Sequence, residues 1–201
     1  AAASDVYKRQ GTYHAACIAR EMVLEEHPEK QICVIDSRAA AGAMVLLIRR
    51  AQALMEAAGD DGDFDALCQQ LHRYQATLRT CFTLENFDNL IKNGRMRPIV
   101  GTLLRSLGIH IIADATAEGT IHVADKARGV GKTYRAITAL MKASKDCTDA
   151  EVVISHCENL EGAMALKRQI LADLPVKQVD LLSCRGLTSF YAMEKGLIVG
   201  Y

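Results

Sequence analysis

The sequence predicts an α/β protein of two domains, a truncated doubly wound parallel-sheet domain followed by a mixed or antiparallel-sheet α/β domain. Three observations predict it. Apolar residues at helical spacing alternate with short apolar runs, the rhythm of helices covering an open sheet. That rhythm changes near Arg79, beyond which two apolar runs flank a glycine-containing turn and signal a hairpin. Helix and strand patterns then alternate to the last residue. The expected organisation is residues 11–78 as the first domain and 79–201 as the second, with 1–10 outside both.

Each element has its own signal. Tyr13 to Glu26 carries Ala, Ile, Met, Val and Leu at helical spacing, and Pro28 ends it. Gln31–Asp36 (QICVID) reads as a strand buried in a parallel sheet. Ala40–Ala58 is a helix closed by Gly59, Asp60–Asp63 is a turn, and Phe64–Thr77 is a helix with Leu67, Leu71 and Tyr74 on one face. Cys81–Leu84 is a short strand, and Phe87–Lys92 a short helix ended at Asn93-Gly94, where Gly94 supplies a left-handed cap. Pro98 heads a helix through Leu107, a position where its missing N–H costs nothing. Ile109–Ala115 and Thr120–Lys126 are the hairpin strands around Thr116–Gly119. Helix Lys132–Ala143, strand Glu151–Cys157, helix Leu160–Leu174, strand Lys177–Ser183 and the closing run Leu197–Tyr201 follow.

Composition narrows the function. The chain has 201 residues, half of them hydrophobic, which suffices for a sizeable core. Lys+Arg and Asp+Glu both number 24, so no global field recruits nucleic acid or an anionic membrane. With six Tyr, four Phe and no Trp there is little to stack bases on. The seven cysteines are an odd, scattered set without a C-x-x-C pair, the pattern of buried thiols in a reducing cytosol rather than of disulfides or a zinc site. Residues 39–48 form the most apolar stretch, far short of the roughly 18 residues of a membrane span, and Arg49 and Arg50 follow at once. A cytoplasmic protein is expected.

Ala2 to Gln10 reads AASDVYKRQ, which fits no helix or strand pattern and is the translation of a transposase adapter used in sequencing libraries. Residues 1–10 are therefore expected to be a disordered artefact, with the native sequence beginning near Gly11 inside a domain.

Several motifs invite chemistry. Arg128-Gly129-Val130-Gly131-Lys132-Thr133 ends in the G-K-T of a phosphate-binding loop, but the glycine required five residues before Gly131 is Lys126. Nucleotide hydrolysis is rejected on that ground. Lys126, Arg128 and Lys132 at a helix start either attract an anion or form solvated surface. Asn93-Gly94-Arg95-Met96-Arg97-Pro98 is a basic turn whose glycine and proline have structural reasons and whose two arginines do not. The six histidines lack ligand spacing, and His110 and His122 are expected to face each other across the hairpin. No Ser-His-Asp set or G-x-S-x-G is present. Asp36-Ser37 ends an apolar run, where α/β sheets place ligand groups, and equally reads as a helix cap.

Gly11-Thr12-Tyr13, Asp36-Ser37, Asn93-Gly94-Arg95 and Lys126-Ala127-Arg128-Gly129 resemble, in order and spacing, the S-G-T-Y, D-S, G-G-R and K-x-R-G landmarks of the DegV family. The resemblance runs from Gly11 to Tyr201. It implies a two-domain α/β protein that buries a long-chain fatty acid, has no other cofactor, is not itself an enzyme, and presents the carboxylate to a separate fatty acid kinase subunit or another acceptor. Transient membrane contact is compatible with such a carrier. By the same resemblance Gly11, Thr12, Ser37, Arg95, Arg128 and Tyr191 are the ligand-site candidates. Three departures stand out: Gln10 occupies the position of the carboxylate-binding serine, the upstream T-S-Q-P segment is missing, and Tyr191 replaces the histidine of H-T-G-P-G. The alternative is a phosphotransferase using the basic turn Arg128–Thr133, related to dihydroxyacetone kinases; the broken loop and the lack of a carboxylate cluster for Mg²⁺ disfavour it.

Deleting residues 1–10 is expected to leave the thermal midpoint unchanged within error. A drop of several degrees would show that they pack natively.

Overall fold

In the computed structural model, which describes residues 10–59, 61–96, 108–116 and 120–201, the strands form one six-stranded mixed sheet. In chain order the elements are α1 (Gln10–Glu26), α2 (Gly42–Ala58), α3 (Phe64–Thr77), β1 (Thr80–Leu84), α4 (Asp88–Lys92), β2 (Ile109–Ala115), β3 (Ile121–Arg128), α5 (Val130–Ser144), β4 (Glu151–His156), α6 (Leu160–Asp173), β5 (Gln178–Ser183), α7 (Gly186–Ala192) and β6 (Leu197–Gly200). The sheet order is β3-β2-β1-β6-β4-β5. β4 and β5 run parallel, and every other neighbouring pair is antiparallel.

Side-chain alternation along the strands builds two cores. On one face Cys81, Ile112, Val152, Ile154, Val179, Leu197 and Val199 pack under α5 and α6, which contribute Ile137, Met141, Leu166 and Ile170. On the other, Phe82, Leu84, Ile111, Ala113 and Ile198 pack with Leu90 of α4 and Ala192 of α7. A third cluster on that face seats Leu46 and Leu47 of α2 against Val153. Asp63 caps α3 by accepting from Ala66 N at 3.1 Å, and Asn159 caps α6 by accepting from Gly162 N at 3.1 Å.

The expected elements from Cys81 onward match within a residue or two, apart from those outside the described residues. The helix headed by Pro98 lies among these, as do Asp60 and the hairpin tip 117–119. The helices of residues 11–78 are also in place, with α1 beginning at Gln10. Three expectations are corrected. Gln31–Asp36 is not a strand; no described strand runs beside it, and Ile35 instead packs toward α2 and α3. His110 and His122 do not pair: the Thr116–Thr120 turn puts His122 opposite Asp114, whose Oδ1 lies 3.0 Å from His122 Nδ1, and a register shift between Ile112 and Ala113 puts His110 opposite Ala127. Finally, α2, expected on the face of a separate sheet, packs on β4 and β6 of this one. Arg49 of α2 reinforces that seat by an ion pair with Asp180 of β5 at 2.6 Å.

The seat requires two glycines. A Cβ on Gly42 would collide with the carbonyl oxygen of Val153, and a Cβ on Gly200 with the backbone nitrogen of Ala43. Both obstacles are backbone and cannot rotate away. Gly200→Ala is expected to lower stability by about 1–3 kcal/mol, read as a fall in the urea midpoint.

Candidate functional site

The ends of the strands decide where ligand chemistry collects. The C-termini of the parallel pair β4 and β5 lie at the same end of the sheet as the C-terminus of β1 and the start of β6. The antiparallel registers bring the start of β2 and the end of β3 to that end too. Such an end, beyond the carboxyl termini of parallel strands, is where open α/β sheets hold ligands.

Three of the six sequence-derived candidates, Arg95, Arg128 and Tyr191, lie on elements that meet at this end. Ser37 is half-buried in the loop 37–41 ahead of α2, where its carbonyl accepts from Gln75 Nε2 of α3 at 3.2 Å, and Ala41, four residues on, packs on the α4–α7 core. Arg38 and Ala41 hold φ of 46° and 49°, so the loop turns sharply through a left-handed backbone that side chains rarely adopt. Arg95 follows α4 in a turn fixed by its own N–H to the Leu90 carbonyl at 2.7 Å and by Gly94 at φ 67°, the expected left-handed cap. Tyr191 sits on α7, half-buried against the same core as Ala41, Cys157 and Cys184, with the Phe190 ring edge-on at 5.0 Å. Arg128 ends β3, exposed, directly before α5. Gly11 and Thr12 lie apart from these, exposed at the start of α1. On α1 the Tyr13 phenol is pushed up chiefly by a hydrogen bond to Cys17, with the Cys17 and Asp36 charges and burial adding to the rise.

The geometry at Arg128 also accounts for the G-K-T sequence. One residue, Gly129 at φ 84°, separates β3 from α5, and the Thr133 hydroxyl donates to the Gly129 carbonyl at 3.0 Å. A phosphate-wrapping loop needs several residues of backbone between strand and helix. None are there. Lys126, Arg128 and Lys132 are all exposed.

Sequence reasoning missed α7, the helix that carries Tyr191. Seven residues, Gly186–Ala192, are too few for an apolar period to show, and no capping side chain marks its start. It also missed Cys157 and Cys184, which meet where β4 and β5 end. Burial, with Cys157 alongside, pushes the Cys184 thiol up to about 11.

The model of the family described as "Uncharacterised protein, DegV family" matches residues 7–196. The chain belongs to the DegV family. The match begins within the ten residues read above as foreign. A DegV domain-containing protein of Streptococcus gordonii is 33% identical over 192 residues, 95% of this chain and 66% of the relative. The chain thus spans just under two thirds of that curated relative's length. A DegV family protein from Eubacterium eligens, solved loaded with heptadecanoic acid, superposes with a TM-score of 0.87 at 29% identity over 94% of this chain and 67% of that one. The Fatty Acid Kinase (Fak) B3 protein of Streptococcus pneumoniae, solved loaded with linoleic acid, gives a TM-score of 0.86 at 32% identity over 95% and 66%. Among the described residues no helix is long and apolar enough to cross a membrane.

The elevated Cys184 pKa sets its reactivity, because the thiolate is the nucleophile. At pH 8 its alkylation by iodoacetamide, followed by peptide mass spectrometry, is expected to run about 100-fold slower than for a thiol of ordinary pKa, and to rise with pH toward 11.

Proposed function

We propose that this protein is a carrier that binds a long-chain fatty acid and presents its carboxylate to a separate kinase or acceptor, and that it is a binding protein rather than an enzyme. The observation that carries this reading is the close superposition on DegV proteins loaded with heptadecanoic and linoleic acids. The meeting at one end of the sheet of the elements that carry Arg95, Arg128 and Tyr191 supports it further. In this reading residues 11–78 are the remainder of an N-terminal lipid-binding domain, 79–201 are the C-terminal domain, and the protein works in the cytoplasm.

Physical chemistry makes the division of labour plain. Each buried methylene contributes about 0.8 kcal/mol, so a dry slot along the chain supplies affinity, and the headgroup residues set orientation. α1 and α2 offer material for such a slot: Ile18, Met22, Ile48 and Met55 are large apolar side chains left exposed. At the headgroup, Arg128 stands beside the first turn of α5, whose N–H groups already favour an anion. The phosphotransferase alternative draws no support from the direct β3–α5 junction.

Native mass spectrometry of the protein, purified from a bacterial host with its native upstream sequence, is expected to show a co-purified mass of a C16–C18 acid. Arg128→Ala in that protein is expected to weaken lipid retention, or acyl-phosphate formation with a partner kinase, by about tenfold or more, the worth of a charge-assisted hydrogen bond. Loss of phosphorylation with lipid retained would place Arg128 on the partner surface. If stability, bound lipid and phosphorylation all match the parent, the residue is ordinary surface and the assignment fails.

A further inference from the structure

The opposite face of the same sheet end carries a cavity that the lipid reading leaves unused. It has a volume of about 320 Å³ and opens between the first turns of α5 and α6, floored by β1 and β6. That lies at the low end of small-molecule pockets, which run about 300–1,000 Å³.

One feature of its floor has no structural reason. Thr83, at 6% exposure, lines the cavity, and its hydroxyl is buried without a hydrogen-bond partner. Alternation along β1 turns Thr83 to the side of Cys81, toward α5 and α6, between Ile112 and Leu197 on the neighbouring strands. A buried hydroxyl left unpaired is costly, and valine would fill the same space with no such cost. The neighbouring polar groups are by contrast occupied in holding the walls. Asn159 accepts from Gly162 N and donates to the Lys195 carbonyl at 2.8 Å, and Thr133 donates to Gly129.

The remaining lining selects the ligand. Glu85 and Glu161 supply carboxylates, and Lys195 supplies one ammonium, 3.9 Å from Glu85. Two carboxylates against one lysine disfavour an anion despite the two helix starts. Among the described residues no group of three or more His, Cys, Asp or Glu could hold a metal. What remains is a set of acceptors (the carboxylates) and donors (Lys195, Tyr134, His110) around an unpaired hydroxyl that can do either, with Leu197 and Val130 as apolar wall. Hydroxyl groups satisfy every one of these partners at once, and the C–H faces of a sugar suit the apolar wall. We propose that this cavity binds a small, uncharged, polyhydroxylated molecule of monosaccharide or polyol size, with the Thr83 hydroxyl and the Glu161 carboxylate as its principal partners. The site is independent of the lipid reading.

The test uses amide chemical shifts and melting temperature with glycerol, ribose and glucose as probes. At least one is expected to give a saturable shift at Thr83, Val130 and Gly162 and to raise the melting temperature. Thr83→Val is expected to raise the unliganded melting temperature while abolishing the ligand response. Thr83→Ser should keep the response, and Glu161→Gln should weaken it about tenfold. No saturable response to any of the three probes would overturn the proposal. So would a response that survives Thr83→Val, or a lower melting temperature in that variant, since the hydroxyl would then already have a partner.

Discussion

The placement of α2 and of the loop 37–41 depends on one backbone contact, the seating of the α2 N-terminus on β4 and β6. Gly42 lies on Val153, and Gly200 lies under Ala43, with no room for a methyl group at either place. Helix and sheet usually pack about 10 Å apart because side chains intervene. Here the intervening side chains are deleted, and the helix start comes down onto the strands. The loop that enters α2 must then turn sharply, which is why Arg38 and Ala41 adopt positive φ. Ala41 is thereby delivered beside α4 and α7, while Ser37 is held against Gln75 of α3. The Arg49–Asp180 ion pair fixes rotation of the helix on its seat, a directional constraint of modest energy because both groups are partly exposed.

The mixed topology matters for the same reason. A wholly parallel sheet would place all strand C-termini at one end; a meander would alternate them. With β4 and β5 parallel and β6 returning antiparallel between β4 and β1, strand ends, strand starts and the junction into α5 meet at one edge. That edge has two faces. On one, the α4–α7 core leaves Tyr191 and the loop 37–41 together; on the other, α5 and α6 leave the cavity above Thr83. The two faces share strands, and Leu84 of β1 both packs in the α4–α7 core and borders the cavity.

How much of this was legible in the sequence follows from the range of each signal. From Cys81 onward the strands and long helices were readable because apolar period and length are local properties, as with Glu151–His156 and Leu160–Asp173. Gln31–Asp36 misled because an apolar run records burial and not pairing; its Ile35 is indeed packed, but against helices. The His110–His122 pairing failed because register depends on where the turn closes, and Thr116 N to Thr120 O closes it. The candidate residues were found through ordered motifs, and none by periodicity. Thr83 had no signal at all: a threonine in a strand is ordinary, and only the unpaired hydroxyl in three dimensions distinguishes it.

Tyr191 bears on the headgroup chemistry of the proposed carrier. A histidine at this place would supply an imidazole able to carry positive charge near neutral pH, and so to pair with a carboxylate as an ion. A phenol can donate one hydrogen bond and carries no positive charge. Its ring is held by Phe190 and the α4–α7 core, so its hydroxyl direction is set by packing rather than by the ligand. With the histidine gone, the cations among the proposed headgroup residues are arginines, Arg95 in its capped turn and Arg128 at the α5 start. Arginine stays protonated over the whole physiological range. A headgroup site resting on arginine and tyrosine would therefore hold its carboxylate with an affinity nearly flat between pH 5 and 8, where a histidine site would weaken as pH rises through the imidazole pKa.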